Sequence, residues 1–172
     1  MTVEFGGLEH GNGDDRSDSA ANLLSVGMTG MLLVAFVDGK LHWNERETLV
    51  EAMRAIGDHV TAEQALTFLD DTAHMLESIP ESEWQGLFNP GRRLPNEMKR
   101  IILNLCMRLA FSDGHLSPIE SDLIHRIADW IEIDPGNRVI WKQEVRNALD
   151  EAQARGLEYT GIENLDWHRE EI

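Results

Sequence analysis

Two acidic stretches of the sequence hold the side chains with the clearest potential for chemistry. Residues 35–45 read A-F-V-D-G-K-L-H-W-N-E and residues 110–120 read A-F-S-D-G-H-L-S-P-I-E. Each stretch places a glutamate seven positions after an aspartate that precedes a glycine. The four carboxylates are Asp38, Glu45, Asp113 and Glu120. Carboxylate oxygens are the ligands that calcium and magnesium prefer in proteins, so these residue types suggest a site for a hard divalent cation.

The two stretches repeat one unit. They lie 75 residues apart and are identical at six of eleven positions, including the aspartate, the glycine and the glutamate. An internal duplication predicts two similar halves related by a pseudo-twofold axis. If that axis brought the four carboxylates together, like charges would raise one another's pKa values and lower stability. A bound divalent cation, with calcium or magnesium favoured, would offset that repulsion.

Each copy taken alone also has a purely structural interpretation. The aspartate can accept backbone N–H groups in the turn, and an acid in a first helical turn favours the helix dipole. Ser117, Pro118 and Glu120 form a capping box with proline at the first helical position. The turn is not an EF-hand, because His115 and Ser117 stand where that loop needs acids. The cation site and the helix caps are therefore alternative interpretations.

Helices must position these two turns, and the spacing of apolar residues predicts where those helices lie. Asp18 or Ser19 can cap a first helix whose apolar residues recur at helical intervals as far as Phe36. The following Asp-Gly pair then ends that helix, because glycine accepts the left-handed geometry of a C-terminal cap. Gly27 and Gly30 offer a flat place where another helix can approach closely.

Further helices follow in both halves. The second helix ends at Gly57, and the third begins with a capping box formed by Thr61 and Gln64. Prolines and glycines punctuate residues 78–95, which allows at most a short helix around residues 84–88. The helices of the second half are predicted to be capped at their starts by Asn96, Ser117 and Asp134, and the last is predicted to run to Arg155 and to be ended by Gly156.

No stretch shows sustained strand alternation, so the predicted fold class is all-α. We expect a compact bundle of about six to seven helices, built from two duplicated helix-turn-helix halves. The predicted organisation is a disordered acidic leader over residues 1–18, a helical domain over 19–155 and an acidic tail over 156–172. The halves of the domain are residues 19–78 and 96–155, and the tail is expected to dock weakly or fray.

The charge balance limits the partners. The chain of 172 residues has 15 Lys and Arg against 31 Asp and Glu, a formal net charge of −16. Such a field disfavours nucleic acid and anionic membrane surfaces and suits cations and basic protein surfaces. The most apolar run, residues 31–37, is shorter than the about 20 residues of a spanning helix. With no signal-peptide pattern at the N-terminus, we expect a soluble cytoplasmic protein without membrane insertion.

Enzymatic chemistry has little support in the sequence. Cys106 lies within a predicted helix with no evident base, which argues against a nucleophile. His42 and His115 flank the acidic turns and could join a transition-metal site, although solvated turn residues are the simpler interpretation. No nucleotide-binding or hydrolase motif is present. We therefore predict a non-enzyme; a hydrolase, the third hypothesis, would need a nucleophile or an open metal site.

At the paired turns, with their common pattern A-F-x-D-G-x-L…E, the sequence resembles the TerB-like domain of bacterial tellurite-resistance proteins. The resemblance covers about residues 23–149 and implies an all-helical, internally duplicated domain. It implies a metal site at the acidic turns, which by position would comprise Asp38, Glu45, Asp113 and Glu120. It also implies a role in responses to tellurite and other chemical stress, usually within larger assemblies.

The leading hypothesis is a non-enzymatic, TerB-like stress-response domain that binds a divalent cation and engages protein partners. The alternative is a metal-independent acidic interaction module, in which the same acids only cap helices and present a negative surface. The sequence favours neither a particular partner nor an oligomeric state.

Overall fold

Seven α-helices form the protein in a computed structural model that describes residues 14–37, 43–56 and 59–165. Short 3-10 segments flank α4 and follow α7, at residues 81–83, 89–93 and 162–165. Within the described ranges the structure has no strand, and extended pairing is limited to one isolated bridge between His115 and Thr160. The predicted all-α class is confirmed. The helices are α1 Asp14–Phe36, α2 Trp43–Ile56, α3 Ala62–Glu77, α4 Trp84–Leu87, α5 Asn96–Ala110, α6 Pro118–Trp130 and α7 Pro135–Ala154.

Helix α1 is the central element of the core. Val26, Met28 and all residues from 31 to 35 are buried. The helix is long and apolar enough from Asp18 to Phe36 to meet the length and composition test for a membrane span, with half of the tested window buried. A core helix of a globular bundle meets the same test, and burial against the other helices accounts for this apolar composition.

The closest packing in the core joins α1 to α5, its counterpart in the second half. A methyl group added at Gly30 would lie 2.9 Å from Cys106 Sγ, whereas one at Gly27 would lie 3.5 Å from Leu105 Cδ1. The predicted flat surface at these two glycines is therefore confirmed. Helices α2 and α6 also begin at matching positions, since Trp43 and Pro118 differ by the same 75 residues. That the halves arose by duplication stays a prediction.

Side-chain caps begin three of the helices as predicted. Thr61 and Gln64 form the capping box of α3, and Ser117 and Glu120 form that of α6. The Asp134 carboxylate accepts backbone N–H bonds from the first turn of α7. Two predicted starts were wrong. Helix α1 already begins at Asp14, within the predicted leader, and Asn96 is the first residue of α5, preceded by Pro95 at the cap position.

The connection between the halves belongs to the core. Phe88 is completely buried, and its ring lies 5.2 Å from that of Trp130 on α6. A methyl group added at Gly91 would lie 2.8 Å from Ile131 Cγ2 and 3.1 Å from Val26 Cγ1. The short helix predicted around residues 84–88 is present as α4. Because the connection packs between α1 and α6, the two halves share one hydrophobic core.

Candidate functional site

The second acidic turn is held by its own aspartate. Asp113 Oδ1 accepts a hydrogen bond from the backbone N–H of His115 at 2.9 Å, and Asp113 itself is exposed. Gly114 follows with a φ of +82°, in the left-handed region that favours glycine. The Asp-Gly pair thus turns the chain from the end of α5 towards α6. A carboxylate that accepts one N–H still has further lone pairs for a ligand.

Glu120 begins α6 from a buried position. Its Oε2 accepts the backbone N–H of Ser117 at 2.8 Å, while the Ser117 hydroxyl accepts the N–H of Glu120 at 3.2 Å. The side chain is nevertheless only 5% exposed. The capping interpretation of this glutamate is confirmed. Burial also sets Glu120 apart from an ordinary capping acid, which remains in contact with water.

Glu45 matches Glu120 in the first half of the chain. It lies in the first turn of α2 and is 2% exposed, so both copies of the repeat bury their glutamate. Asp38 lies outside the described residues. Among the residues that the structure does describe, no three His, Cys, Asp or Glu side chains are grouped to hold a metal ion. The convergence of all four carboxylates therefore stays a prediction.

The C-terminal segment, residues 157–165, packs on the second acidic turn. The backbone N–H of Leu116 donates to Thr160 O at 3.0 Å, and the Thr160 N–H donates to Gly114 O at 2.8 Å. The His115 Nδ1 and Thr160 Oγ1 atoms are 2.7 Å apart. The Asn164 amide donates to the Leu116 carbonyl at 2.8 Å. These bonds satisfy the backbone of the turn while Asp113 stays exposed.

Gly161 permits this close packing. Its φ is +82°, and an added methyl group would lie 2.1 Å from the Leu116 carbonyl oxygen. Leu165 closes the contact at 1% exposure. Sequence reasoning expected only weak docking or fraying, because the apolar residues of the tail are sparse. The available signal was Gly161 itself, a glycine between the apolar residues Tyr159 and Ile162.

A large cleft lies beside the same turn. Its volume is about 1020 Å³, and α2, α5, α7 and Tyr159 line it. Glu47, near the start of α2, and Ser112, just after the end of α5, both contribute to the lining. Ser112 lies within the second acidic stretch, and Glu47 is two residues beyond the first. Residues near the start of α2 and at the end of α5 therefore line one cleft.

A comparison with protein-family models shows which family the chain belongs to. The family model described as "Tellurite resistance protein TerB" matches residues 28–143, about two thirds of the chain. The chain belongs to the TerB family. The match runs from α1 into α7 and includes both acidic stretches. Comparisons with curated proteins and with solved structures give no match.

The TerB match ends before the C-terminal segment. Thr160 and Gly161, which pack on the second turn, lie beyond residue 143. Within the matched region, Cys106 is fully buried and burial raises the pKa of its thiol to about 12. A thiol that stays protonated and inaccessible is unsuited to nucleophilic attack. The expectation that Cys106 is a core residue therefore agrees with its place in the TerB fold.

Proposed function

We propose that this TerB-family protein is a non-enzymatic, cytoplasmic stress-response domain that binds a divalent cation through its paired acidic turns and engages protein partners. Asp38, Glu45, Asp113 and Glu120 would supply carboxylate oxygens, with calcium or magnesium favoured over softer ions. The observation that carries the proposal is the burial of Glu45 and Glu120 at matching positions of the two halves. A buried carboxylate needs hydrogen bonds or opposite charge around it, and a cation between the turns would add to the partners that these two glutamates already have.

The arrangement of the helices also supports a shared site. Residues near the start of α2 and at the end of α5 line the same cleft, which supports the proposal that the two turns share a site. Glu120 uses one oxygen for the Ser117 N–H, and Asp113 uses one for the His115 N–H. A carboxylate has about four lone-pair positions, so these bonds are compatible with a metal ligand role.

Thermal melting of chelator-treated protein with calcium, magnesium, manganese and zinc added separately tests the cation. At a concentration a hundredfold above Kd, binding stabilises the native state by about 2.7 kcal/mol. For a chain of this size that raises Tm by about 5–11 °C. Asp38→Asn/Asp113→Asn should lose this shift. Asp71→Asn/Asp134→Asn, which removes the same charge at two exposed positions outside the acidic turns, should keep it.

The metal-independent interaction module remains the second candidate. It is favoured by the backbone hydrogen bonds of Asp113 and Glu120, which give both acids a structural role without any ion. It predicts that every divalent ion shifts Tm no more than sodium chloride of equal ionic strength. That result, together with equal responses of the two double variants, would replace the cation proposal with this one.

The stress role has its own test. A strain that lacks the protein should become more sensitive to tellurite, and expression of the unaltered chain should restore tolerance. The Asp38→Asn/Asp113→Asn chain should fail to restore it, at equal abundance, if the cation is part of the role. Equal sensitivity of strains with and without the protein would contradict tellurite as the relevant stress.

A further inference from the structure

A long cleft follows α5. It extends along the helix from Ile101 and on to Ser112, just beyond its end, between α2 on one side and α7 with Tyr159 on the other. We call it the α5 cleft. At about 1.5 Å per residue, the helical part from Ile101 to Ala110 is about 15 Å long, or about three helical turns. The volume of about 1020 Å³ is open to solvent along that length.

The floor of the α5 cleft is apolar. Ile101 is 42% exposed, and the partly buried Leu105, Val145 and Tyr159 line the same surface. On α5 the lining positions 101, 104, 105 and 108 recur at helical spacing, so they form one continuous stripe. A second stripe of α5, which includes Ile102 and Cys106, is buried in the core. Helix α5 thus presents two apolar side chains, Ile101 and Leu105, at the cleft, beside Asn104 and Arg108.

The rim of the α5 cleft is acidic. Glu47 and Glu51 on α2 and Glu144 on α7 line it, against one guanidinium from Arg108. Glu144 is already paired with Arg100. Glu47 and Glu51 are exposed, and in the described part of the chain no salt bridge involves either of them. The rim therefore attracts positive charge beside an apolar floor.

Charge decides between the possible occupants. Residues 1–13 contain no Lys or Arg, and residues 166–172 contain three acids against Arg169 alone. A second copy of the chain carries the same net charge of −16. None of these complements an acidic rim. A basic segment of a different protein does.

We propose that the α5 cleft binds an amphipathic helix of about three turns from a partner protein, with an apolar face on Ile101 and Leu105 and Lys or Arg against Glu47 and Glu51. This is the helix-in-groove mode of recognition, with the acidic rim setting specificity and association rate. The inference rests on the partner engagement of the proposed function and not on the cation. It is therefore tested in the presence of chelator.

A synthetic helix provides the probe. The peptide has about 12 residues, with Leu at positions i, i+3, i+4, i+7 and Lys at the rest. Fluorescence anisotropy with the full chain should show saturable binding that weakens with salt. A scrambled peptide of the same composition and a Glu-for-Lys peptide should bind at least about tenfold more weakly. Equal binding of the Lys peptide and its scramble, or no binding, would overturn the proposal.

Matched variants locate the site. Ile101→Arg, on the floor, and Glu47→Lys/Glu51→Lys, on the rim, should each weaken binding about tenfold or more. Ile119→Arg, 57% exposed on α6, and Glu63→Lys/Asp71→Lys on α3 make equal changes outside the cleft and should leave Kd within about twofold. Unchanged far-ultraviolet circular dichroism and Tm establish that each variant is folded. Equal loss with control and cleft variants would overturn the assignment.

The other occupants have distinct signatures. If a second copy fills the cleft, the full chain will sediment as a dimer and Ile101→Arg will convert it to a monomer. If the N-terminal segment fills it, Phe5→Arg in the full chain will tighten peptide binding. Either result would overturn the assignment to a partner protein. A failed cation titration with retained peptide binding would leave this inference intact and contradict only the metal site.

Discussion

At the scale of single residues, Cys106 shows how burial changes a titration. Its thiol is fully buried against α1, and desolvation raises its pKa from 9.0 to about 12. Between these values the unfolded chain releases the proton while the folded chain keeps it. Stability must therefore fall as pH rises from about 9 to about 12. Urea unfolding across this range should show a shallower loss in Cys106→Ala than in the unaltered chain; parallel curves would contradict the prediction.

Alanine substitutions at Gly161 and Gly156 distinguish the conformational cost of a left-handed backbone from the cost of a steric clash. Both have left-handed φ angles, +82° and +90°, but only at Gly161 would a methyl group meet another atom, 2.1 Å from the Leu116 carbonyl oxygen. Alanine in this region costs about 1–2 kcal/mol from conformation alone. The free energy of unfolding, measured in urea, should therefore fall by about 1–2 kcal/mol in Gly156→Ala. It should fall further in Gly161→Ala, because the steric clash adds to the conformational cost.

Hydrogen exchange can locate that extra loss. The amides of Leu116 and Thr160, which bond across the contact, should exchange faster in Gly161→Ala than in Gly156→Ala. Amides inside α1 should exchange at the same rate in both variants, because their bonds lie away from the contact. Unchanged protection of Leu116 and Thr160 in Gly161→Ala would show that the C-terminal segment does not depend on this glycine.

At the scale of helices, we expect alanine to have opposite effects on stability at Gly27 and at Gly30. Alanine favours a helix over glycine by about 0.8–1.0 kcal/mol. At Gly27 the new methyl group would make ordinary contact at 3.5 Å, so Gly27→Ala should stabilise by about 0.5–1 kcal/mol. At Gly30 it would lie 2.9 Å from Cys106 Sγ, and overpacking costs about 1–3 kcal/mol. Gly30→Ala should therefore destabilise.

The double variant Gly30→Ala/Cys106→Ala tests the cause. Removing the sulfur makes room for the methyl group, so the double variant should recover much of the stability lost in Gly30→Ala. The coupling free energy from denaturant unfolding of all four chains measures this recovery. Additive effects of the two substitutions would place the strain elsewhere in the α1–α5 contact.

The elements that could be predicted are those with local signals. Capping residues at Thr61, Ser117 and Asp134 mark helix starts because their side chains bond the first turn of their own helix. The start of α1 was missed, since Asp14 to Asp18 are polar residues that continue a helix whose apolar spacing begins later. The burial of Phe88 and Glu45 depends on contacts between distant segments, for which the sequence offers no spacing rule.

The candidate site likewise combines local features, which could be predicted, with long-range contacts, which could not. The cap formed by Ser117 and Glu120 is local, and its prediction is confirmed. The C-terminal segment reaches the second turn across 45 residues, through backbone bonds that the spacing of side chains in the sequence does not reveal. The α5 cleft likewise depends on the relative placement of three helices. Such long-range arrangements follow from the packing of the whole chain, and Gly161 was the one local sign of them.

At the scale of the whole molecule, the net charge of −16 opposes compaction. Sodium chloride screens this repulsion, so Tm should rise between about 0.01 and 0.15 M ionic strength, over which the Debye length falls from about 30 to 8 Å. Differential scanning calorimetry in a cation-free buffer measures the effect. A Tm that stays constant or falls would mean that local ion pairs, such as Arg126 with Glu81, outweigh the general repulsion.

The contact between the second acidic turn and the C-terminal segment also sets an order of events during synthesis. His115 and Thr160 are 45 residues apart in the chain. At about 5–20 residues per second, a ribosome adds Thr160 about 2–9 s after His115. Helices of the first half can form during that interval. The second acidic turn, in contrast, gains its contacts only after the C-terminal segment has been synthesised. During synthesis the second acidic turn is therefore without its C-terminal contacts for several seconds after its own residues have been added.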